Sequence, residues 1–203
     1  MAAFQKPPTV SDDYRAVDIY RQAAKIIFEK GFDATSMGDI ADAVDLTKGG
    51  LYYYIKGKKA LLYAIMDFAM NRLEAEVLDP SRNTEDPEER LQALISGHTE
   101  LVIEEAPSMT ILVYEEEGLD DSHRAKIRRR KRAYADFLRD AITAVLQKHD
   151  RVGLIDPAVG AYSVLGLVHW VVRWFQPEGR LDQTEVVEQV TQLILHGLVP
   201  IRG

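Results

Sequence analysis

Apolar residues recur with a helical period along almost the whole chain. No stretch alternates strictly between apolar and polar positions as a half-buried strand would. Val17, Tyr20, Ala24, Ile27 and Phe28 predict a helix from Asp13, stopped by Gly31. Ser36, followed three residues later by Asp39, reads as a capping box for a short second helix with Ile40, Ala41 and Val44 on its inner side. Thr47 caps a third short helix carrying Leu51 and Ile55 inward, and Gly57 breaks it. A longer helix starts near Lys58 and runs through Leu61, Ile65, Phe68 and Leu73. The polar segment 79–90 predicts a connection. Helices follow over about 88–106, 108–117, 121–149, 156–175 and 182–198, punctuated by Pro107, Gly118, Gly153, Pro157 and the Pro177–Gly179 turn. The predicted fold class is all-α, with about nine helices.

A long helix followed by two short ones across a tight turn describes a helix-turn-helix unit. It occupies residues 13–57, behind a loose arm at 1–12 that contains Pro7 and Pro8; residues 58–203 form a second helical unit. Charge divides along the same line. The net charge is −7, yet residues 1–70 balance nine Lys/Arg against nine Asp/Glu, so the acidity belongs to the rest. Within the neutral part, LTKGGLYYYIKGKKALL (46–62) holds four lysines, three consecutive tyrosines and no carboxylate. Lysines can neutralise phosphates, and tyrosine hydroxyls can donate to phosphate oxygens and fix register. Gly49 and Gly50 each cost about 1 kcal/mol in a helix relative to alanine, a cost that close approach of the helix start to a groove would repay. With Leu51 and Ile55 inward, Tyr52 and Tyr53 face out and Tyr54 lies on the boundary. The plain alternative is a solvated charged face with tyrosines along it.

The residues FDATSMGDIADAVDLTKGGLYYYIKGKKALLYAI resemble the DNA-binding segment of the TetR family of bacterial transcriptional regulators. The shared pattern is G-F/Y-x-x-T-S/T, then I-A, then K-G-x-L-Y-x-Y-F and an S-K-E-x-L helix start. This chain departs at Ile55 (usually Phe), Gly57 (Ser), Lys59 (Glu) and Gly50, where a Thr or Ser often reaches the DNA. The resemblance implies an all-α homodimer that binds a palindromic operator and releases it when a small molecule enters the C-terminal domain. It implies that Lys48, Gly49, Gly50, Tyr52, Tyr53 and Lys58 meet DNA, with Thr35 and Ser36 near a phosphate at the start of the second helix. Lys48 and Tyr53 are expected at base edges; Tyr52, Lys58 and Thr47 at phosphates.

Helix 156–175 is apolar nearly all round, so it needs cover on both sides. Together with 182–198, which opens on the capping pair Asp182 and Glu185, it is expected to form a four-helix interface with a second copy. Its end, GLVHWVVRWFQPEGRL, is similar to the end of TetR-family members that sense acyl-coenzyme A thioesters in fatty-acid or steroid breakdown. Trp170 and Trp174 could wall an apolar ligand and Arg173 could pair with an anion; equally, both tryptophans could be core or interface anchors. In HRAKIRRRKRAYADFLRDAITAVL the apolar stripe is Ile127, Tyr134, Leu138, Ile142 and Val145, and Arg124 and Lys131 project onto it. A cation on an inward stripe needs a partner. That partner is either a ligand anion such as a coenzyme A phosphate, or the acidic run Glu115–Asp121.

The chain contains no cysteine, and no GxSxG, Walker or HExxH motif; its five histidines lack metal spacing. No enzyme activity, required cofactor or metal is expected. Without a signal-like N-terminus or a span-length apolar run, a cytoplasmic protein with no membrane contact is expected. The leading expectation is a homodimeric repressor released by a hydrophobic effector, an acyl-CoA thioester above all. An activator shares every feature. A sensor of some non-CoA compound, or a helical scaffold that binds no DNA, is the alternative.

Overall fold

The computed structural model describes residues 10–153 and 155–198. Helices dominate them, and the β-type contact among the described residues is an isolated bridge between Val152 and Ile155. The N-terminal unit comprises α1 (Val10–Lys30), α2 (Met37–Ala43) and α3 (Lys48–Tyr54). Because α1 begins at Val10, residues 10–12 are helical rather than part of an arm; the remainder of the arm, 1–9, lies outside the described residues.

The short helices start where the sequence places their caps. The Asp39 amide donates to Ser36 Oγ (3.1 Å) and the Ser36 amide to Asp39 Oδ2 (2.7 Å), completing the capping box. Thr47 Oγ1 accepts from the Gly50 amide at 3.0 Å. Gly57, at φ 123°, turns the chain from α3 into α4 (Lys58–Arg72) in a conformation that side-chain-bearing residues resist.

The expected connection over 79–90 is shorter in the structure. After Arg72 the helix widens to π geometry over Leu73–Leu78 and continues as α5 (Asp79–Arg82), leaving only residues 83–86 as linker. Leu73, Val77 and Leu78 are buried there, and Ser81 Oγ donates to the Val77 carbonyl (2.6 Å), so the polar-looking DPSR is held as the last turn of a packed helix. Asp86 caps α6 (Pro87–Glu104), which breaks at Glu105 ahead of Pro107 into α7 (Ala106–Tyr114). A 3₁₀ turn, Glu116–Gly118, leads to α8 (Asp121–Lys148); then come α9 (Pro157–Trp174) and α10 (Gln183–Leu198).

One apolar core runs from Ile19 in α1 to Leu195 in α10 without a break at Gly57. The predicted α8 stripe is buried at all five positions. Phe28, expected inward on α1, is instead 41% exposed. α1 packs directly on α7, and α4 packs on α1, α7 and α8, so both helices join the helix-turn-helix unit to the body.

Candidate nucleic-acid interface and effector cavity

Helix α3 presents its predicted outer face. Leu51 is fully buried and Ile55 nearly so, while Tyr52 and Tyr53 stand 49% and 70% exposed. Tyr53 and Tyr54 rings meet edge to face at 5.2 Å between centroids, which limits the orientations open to Tyr53. Thr47, Lys48 and Gly49 are exposed and Gly50 is half-buried. The Lys48 stem lies across α2: a Cβ on Gly38 would stand 3.0 Å from Lys48 Cε. A Cβ on Gly49 would meet nothing nearer than Thr47 Oγ1 at 3.9 Å. Nothing inside the protein requires a glycine there.

Ser36 is exposed at the start of α2. Its hydroxyl accepts the capping bond from the Asp39 amide. The Asp39 carboxyl is held below its usual range by hydrogen bonding to the Ser36 side chain first, and then by the bond it accepts from the Ser36 amide. Two expected DNA contacts are redirected. Thr35 is buried, and its hydroxyl donates to the Gly31 carbonyl (2.9 Å), so its side chain cannot reach a phosphate. Lys58 Nζ donates to the Asp33 carbonyl (3.0 Å) and sits 4.4 Å from the centroid of the Phe32 ring, so it ties α4 to the end of α1 rather than standing free.

Beyond the packing of α1 on α7, contacts of Arg21 with Glu105 and of Phe32 with Gly118 bind this unit to the body, while Arg72 and Arg130 brace α4 between them. Glu105, buried at the α6–α7 break, accepts from Arg21 of α1 (Nε, 2.8 Å) and from Arg72 at the end of α4 (Nη1, 2.7 Å). Arg72 also grips Glu76 through two bonds of 2.6 Å, across the start of the π turn. Arg130 of α8 holds Asp67 (2.7 Å), Asn71 (2.7 Å) and Glu74 (2.8 and 2.9 Å) on the opposite side of α4. Finally, Gly118 lies so close to Leu62 and Phe32 that a Cβ would fall 2.7–2.9 Å from their side chains. Sequence reading missed Glu105, Arg130 and the packing role of Gly118, because each acts over a long sequence separation.

The residues expected to touch an effector fall into two surroundings. Arg124 donates to the Glu116, Glu117 and Leu119 carbonyls (3.2, 3.2 and 2.8 Å), and so caps the 3₁₀ turn. Lys131 donates to the Leu112 carbonyl (3.2 Å) and Glu116 Oε2 (3.3 Å). Burial opposes ionisation of Glu116, but bonds from Arg128 and the charge of Lys131 outweigh it and draw its carboxyl below the usual range. The acidic run thus satisfies these cations from within. Trp170 and Trp174 are 60% and 48% exposed, Arg173 is exposed, and all three share a stripe of α9 with Val159, Tyr162 and Leu167. Leu193 on α10 is exposed as well. An apolar strip of this size is uncommon on a free surface.

A cavity of about 430 Å³ opens where α6, α7, α9 and α10 converge, lined by Ile103, Ala106, Val172, Phe175, Pro177 and Gln183. That volume suits a small ligand. Arg173 follows the lining residue Val172 on α9 but is exposed and not part of the wall, and Trp174 lines a groove over the 176–181 turn that shares Phe175 with the cavity. Elsewhere in the body, α6, α8 and α9 enclose a polar cluster. His98 Nδ1 lies 3.0 Å from the Tyr134 hydroxyl, and the rings of His98 and His169 meet edge to face at 5.0 Å. Burial, reinforced by His169, pushes His98 well below the ordinary imidazole value; burial and the charge of Lys131 push His169 down to about 4. Both rings are therefore neutral near pH 7. Burial raises the Tyr134 phenol, which stays protonated.

Residues 19–65 match the family model described as bacterial regulatory proteins of the tetR family, and residues 84–198 match the tetracyclin repressor-like C-terminal domain. The chain is 25% identical over 193 residues to the HTH-type transcriptional repressor KstR2 of Mycobacterium tuberculosis (strain ATCC 25618 / H37Rv), covering 91% of this chain and 92% of that protein. It is 22% identical over 188 residues to the HTH-type transcriptional activator FasR of Mycolicibacterium smegmatis, covering 92% and 84%. The crystal structure of AibR in complex with isovaleryl coenzyme A and operator DNA is 36% identical and superimposes with a TM-score of 0.80, covering 93% of this chain and all of that one. These relatives are regulators, not enzymes, and regulators of this kind bind operator DNA as dimers. No helix among the described residues is long and apolar enough to cross a membrane. The chain belongs to the TetR family of bacterial transcriptional regulators.

Proposed function

We propose that this protein is a homodimeric repressor that holds a palindromic operator through α3 and lets go of it when an acyl-CoA thioester binds. The observation that carries the DNA half is the bare start of α3: a glycine with open space around it, beside exposed Lys48, Tyr52 and Tyr53 and with no carboxylate in the helix. Lys48 and Tyr53 address base edges; Thr47, Ser36 and Tyr52 address phosphates, and Gly49 and Gly50 let the backbone come close. Thr35 and Lys58 act indirectly, by fixing the approach to α2 and α4.

The dimer forms through α9 and α10, with Tyr162, Leu167, Trp170, Trp174 and Leu193 packed against the second copy. The apolar part of the effector enters the cavity at Val172 and Phe175, and the anionic coenzyme stays outside beside Arg173, at the edge of the dimer seam. Isovaleryl coenzyme A in the AibR complex supports this class of ligand. A ligand at the junction of α9 and α10 bears on the dimer geometry, and so on whether the two copies of α3 meet successive major grooves about 34–36 Å apart. Operator and effector then oppose each other by one coupling energy. Repression is favoured over activation by the likeness to KstR2.

The chain has only two tryptophans, Trp170 and Trp174, so its fluorescence reports on this surface. Titration with isovaleryl-CoA should change the emission saturably, free isovaleric acid should not, and Arg173→Ala should weaken the response to the thioester. An emission unchanged by every thioester tried, from short to long chain, contradicts the effector assignment.

A further inference from the structure

Three buried side-chain polar atoms lack a hydrogen-bond partner among the described residues: His98 Nε2, Ser108 Oγ and Thr191 Oγ1. Of these residues, Ser108 lines a cavity. The cavity, of about 370 Å³, lies between α1, the end of α4 and the α6–α7 break, and its wall includes Arg21, Lys25, Arg72, Glu104 and Glu105. It shares no lining residue with the cavity between α6, α7, α9 and α10, although both border the same break. The charges around it are unequally satisfied. Arg72 is spent within the protein, on Glu76, Glu104 and Glu105. Arg21 gives its Nε and Nη2 to Glu105 Oε1, the same oxygen that Arg72 Nη1 meets. One carboxylate oxygen thus answers two guanidiniums. Lys25 is exposed one turn further along the same face of α1, and it has no ion pair or hydrogen bond among the described residues.

Ser108 faces these cations from the first turn of α7, a helix start that no side chain caps. The residue is 1% exposed, and its hydroxyl turns about a single bond, so it can donate into the cavity that the residue lines. Uncapped amides at a helix start favour negative charge as well. We propose that this cavity binds a small oxyanion, a phosphate or carboxylate group, held by Lys25 and Arg21 from α1 and by the Ser108 hydroxyl from α7. Glu104 and Glu105 weaken the positive field, which disfavours polyanions and fits one or two negative charges. The volume leaves room for a compact body behind the charged group. A ligand so held ties α1 of the DNA-binding unit to the body, beside the Arg21–Glu105 contact. Two sources share this chemistry: a free small anion, and a phosphate of coenzyme A. The site itself stands apart from the acyl-CoA reading above.

Calorimetry on the full chain, in chloride buffer at fixed ionic strength, tests this with inorganic phosphate and succinate as probes. At least one should bind saturably, with Kd on the order of 1 mM or tighter. Tm should then rise with probe concentration as mass action requires. Ser108→Ala changes no charge and removes a hydroxyl that no other described residue uses. It should leave the fold and operator binding intact and weaken the probe roughly tenfold, the worth of one hydrogen bond to a charged group. Lys25→Ala, at an exposed and unpaired position, should weaken it similarly, and Lys25→Arg should restore most of the affinity. Coenzyme A added to the phosphate complex separates the sources. Competitive displacement assigns the oxyanion to the coenzyme; phosphate that stays bound assigns the site to a separate small anion. Absence of saturable binding by both probes, or binding that either alanine variant leaves unchanged, overturns the site. Neither result alters the response of the tryptophans to isovaleryl-CoA, so the two assignments fail independently.

Discussion

Gly49→Ala separates the demands of the fold from those of DNA. The added Cβ would touch only Thr47 Oγ1, at 3.9 Å, so no clash opposes it. Alanine at a helical position is favoured over glycine by about 0.5–1 kcal/mol, and this site is in the first turn, where the lower end applies. For a chain of this size 1 kcal/mol moves Tm by about 2–4 °C, so the variant should melt about 1–2 °C higher. On DNA the sign reverses. If the start of α3 sits against the groove, an extra methyl is overpacking at a close contact and costs about 1–3 kcal/mol. That corresponds to operator binding roughly 5- to 150-fold weaker. Circular dichroism melting and fluorescence anisotropy on labelled operator, at one fixed salt concentration, measure the two effects. Gly50→Ala is the control: its Cβ would rest on Thr47 Oγ1 and Leu46 at 3.4–3.8 Å, within the protein, and should perturb DNA binding less. A Gly49→Ala protein that gains stability and binds the operator undiminished refutes the close approach.

Lys48→Ala should lower operator affinity and, if Lys48 also neutralises a phosphate, reduce the slope of log K against log salt by about 1; an unchanged slope with reduced affinity places it at base edges alone. Leu193→Glu sets a charge on the exposed α10 surface and should shift the protein from dimer to monomer by light scattering; a dimer that persists moves the interface elsewhere. Acid should destabilise the fold well before the carboxylates titrate. His169, with its folded value down at about 4, takes up a proton more readily when unfolded, so its contribution is complete above pH 6.5 and is lost as pH falls towards 4, by up to about 3 kcal/mol. The deeply buried His98 acts in the same direction. Melting curves between pH 7.5 and 4.5 should therefore show a falling Tm, and His169→Leu should flatten that fall.

The caps made most of the fold legible. Ser36 and Asp39, Thr47 and the Asp182–Glu185 pair each start a helix within a residue or two of the expected place, because a side chain that satisfies free amides is a local feature. Asp86 and Asp156 cap α6 and α9 in the same way, although the sequence reading does not single them out. What stayed hidden is non-local or lacks a periodic signature. The π turn at Leu73–Leu78 changes hydrogen bonding without a distinctive composition, so the polar DPSR after it reads as a linker. Thr35 and Lys58 sit in motif positions, but their partners, the Gly31 and Asp33 carbonyls, are fixed only by the folded turn. Arg124 and Lys131 do lie on the inward stripe, and their partners come from the acidic run and its neighbours: backbone carbonyls of residues 116, 117 and 119 for Arg124, and the Glu116 carboxylate with the Leu112 carbonyl for Lys131. The α9 tryptophans read as apolar whichever side they take; only the packed structure shows that they face outward. For His98, the sequence offers a histidine on an apolar face, and its missing partner becomes visible only once Tyr134 and His169 are in place.

The most direct test of the account uses the native protein and fluorescent DNA from its own upstream region. Anisotropy is followed as protein is added, and then as isovaleryl-CoA or free isovaleric acid is titrated into the complex. The account predicts saturable binding and release by the thioester alone. DNA that stays bound at saturating thioester, as shown by tryptophan emission, contradicts the proposed coupling between the cavity and α3.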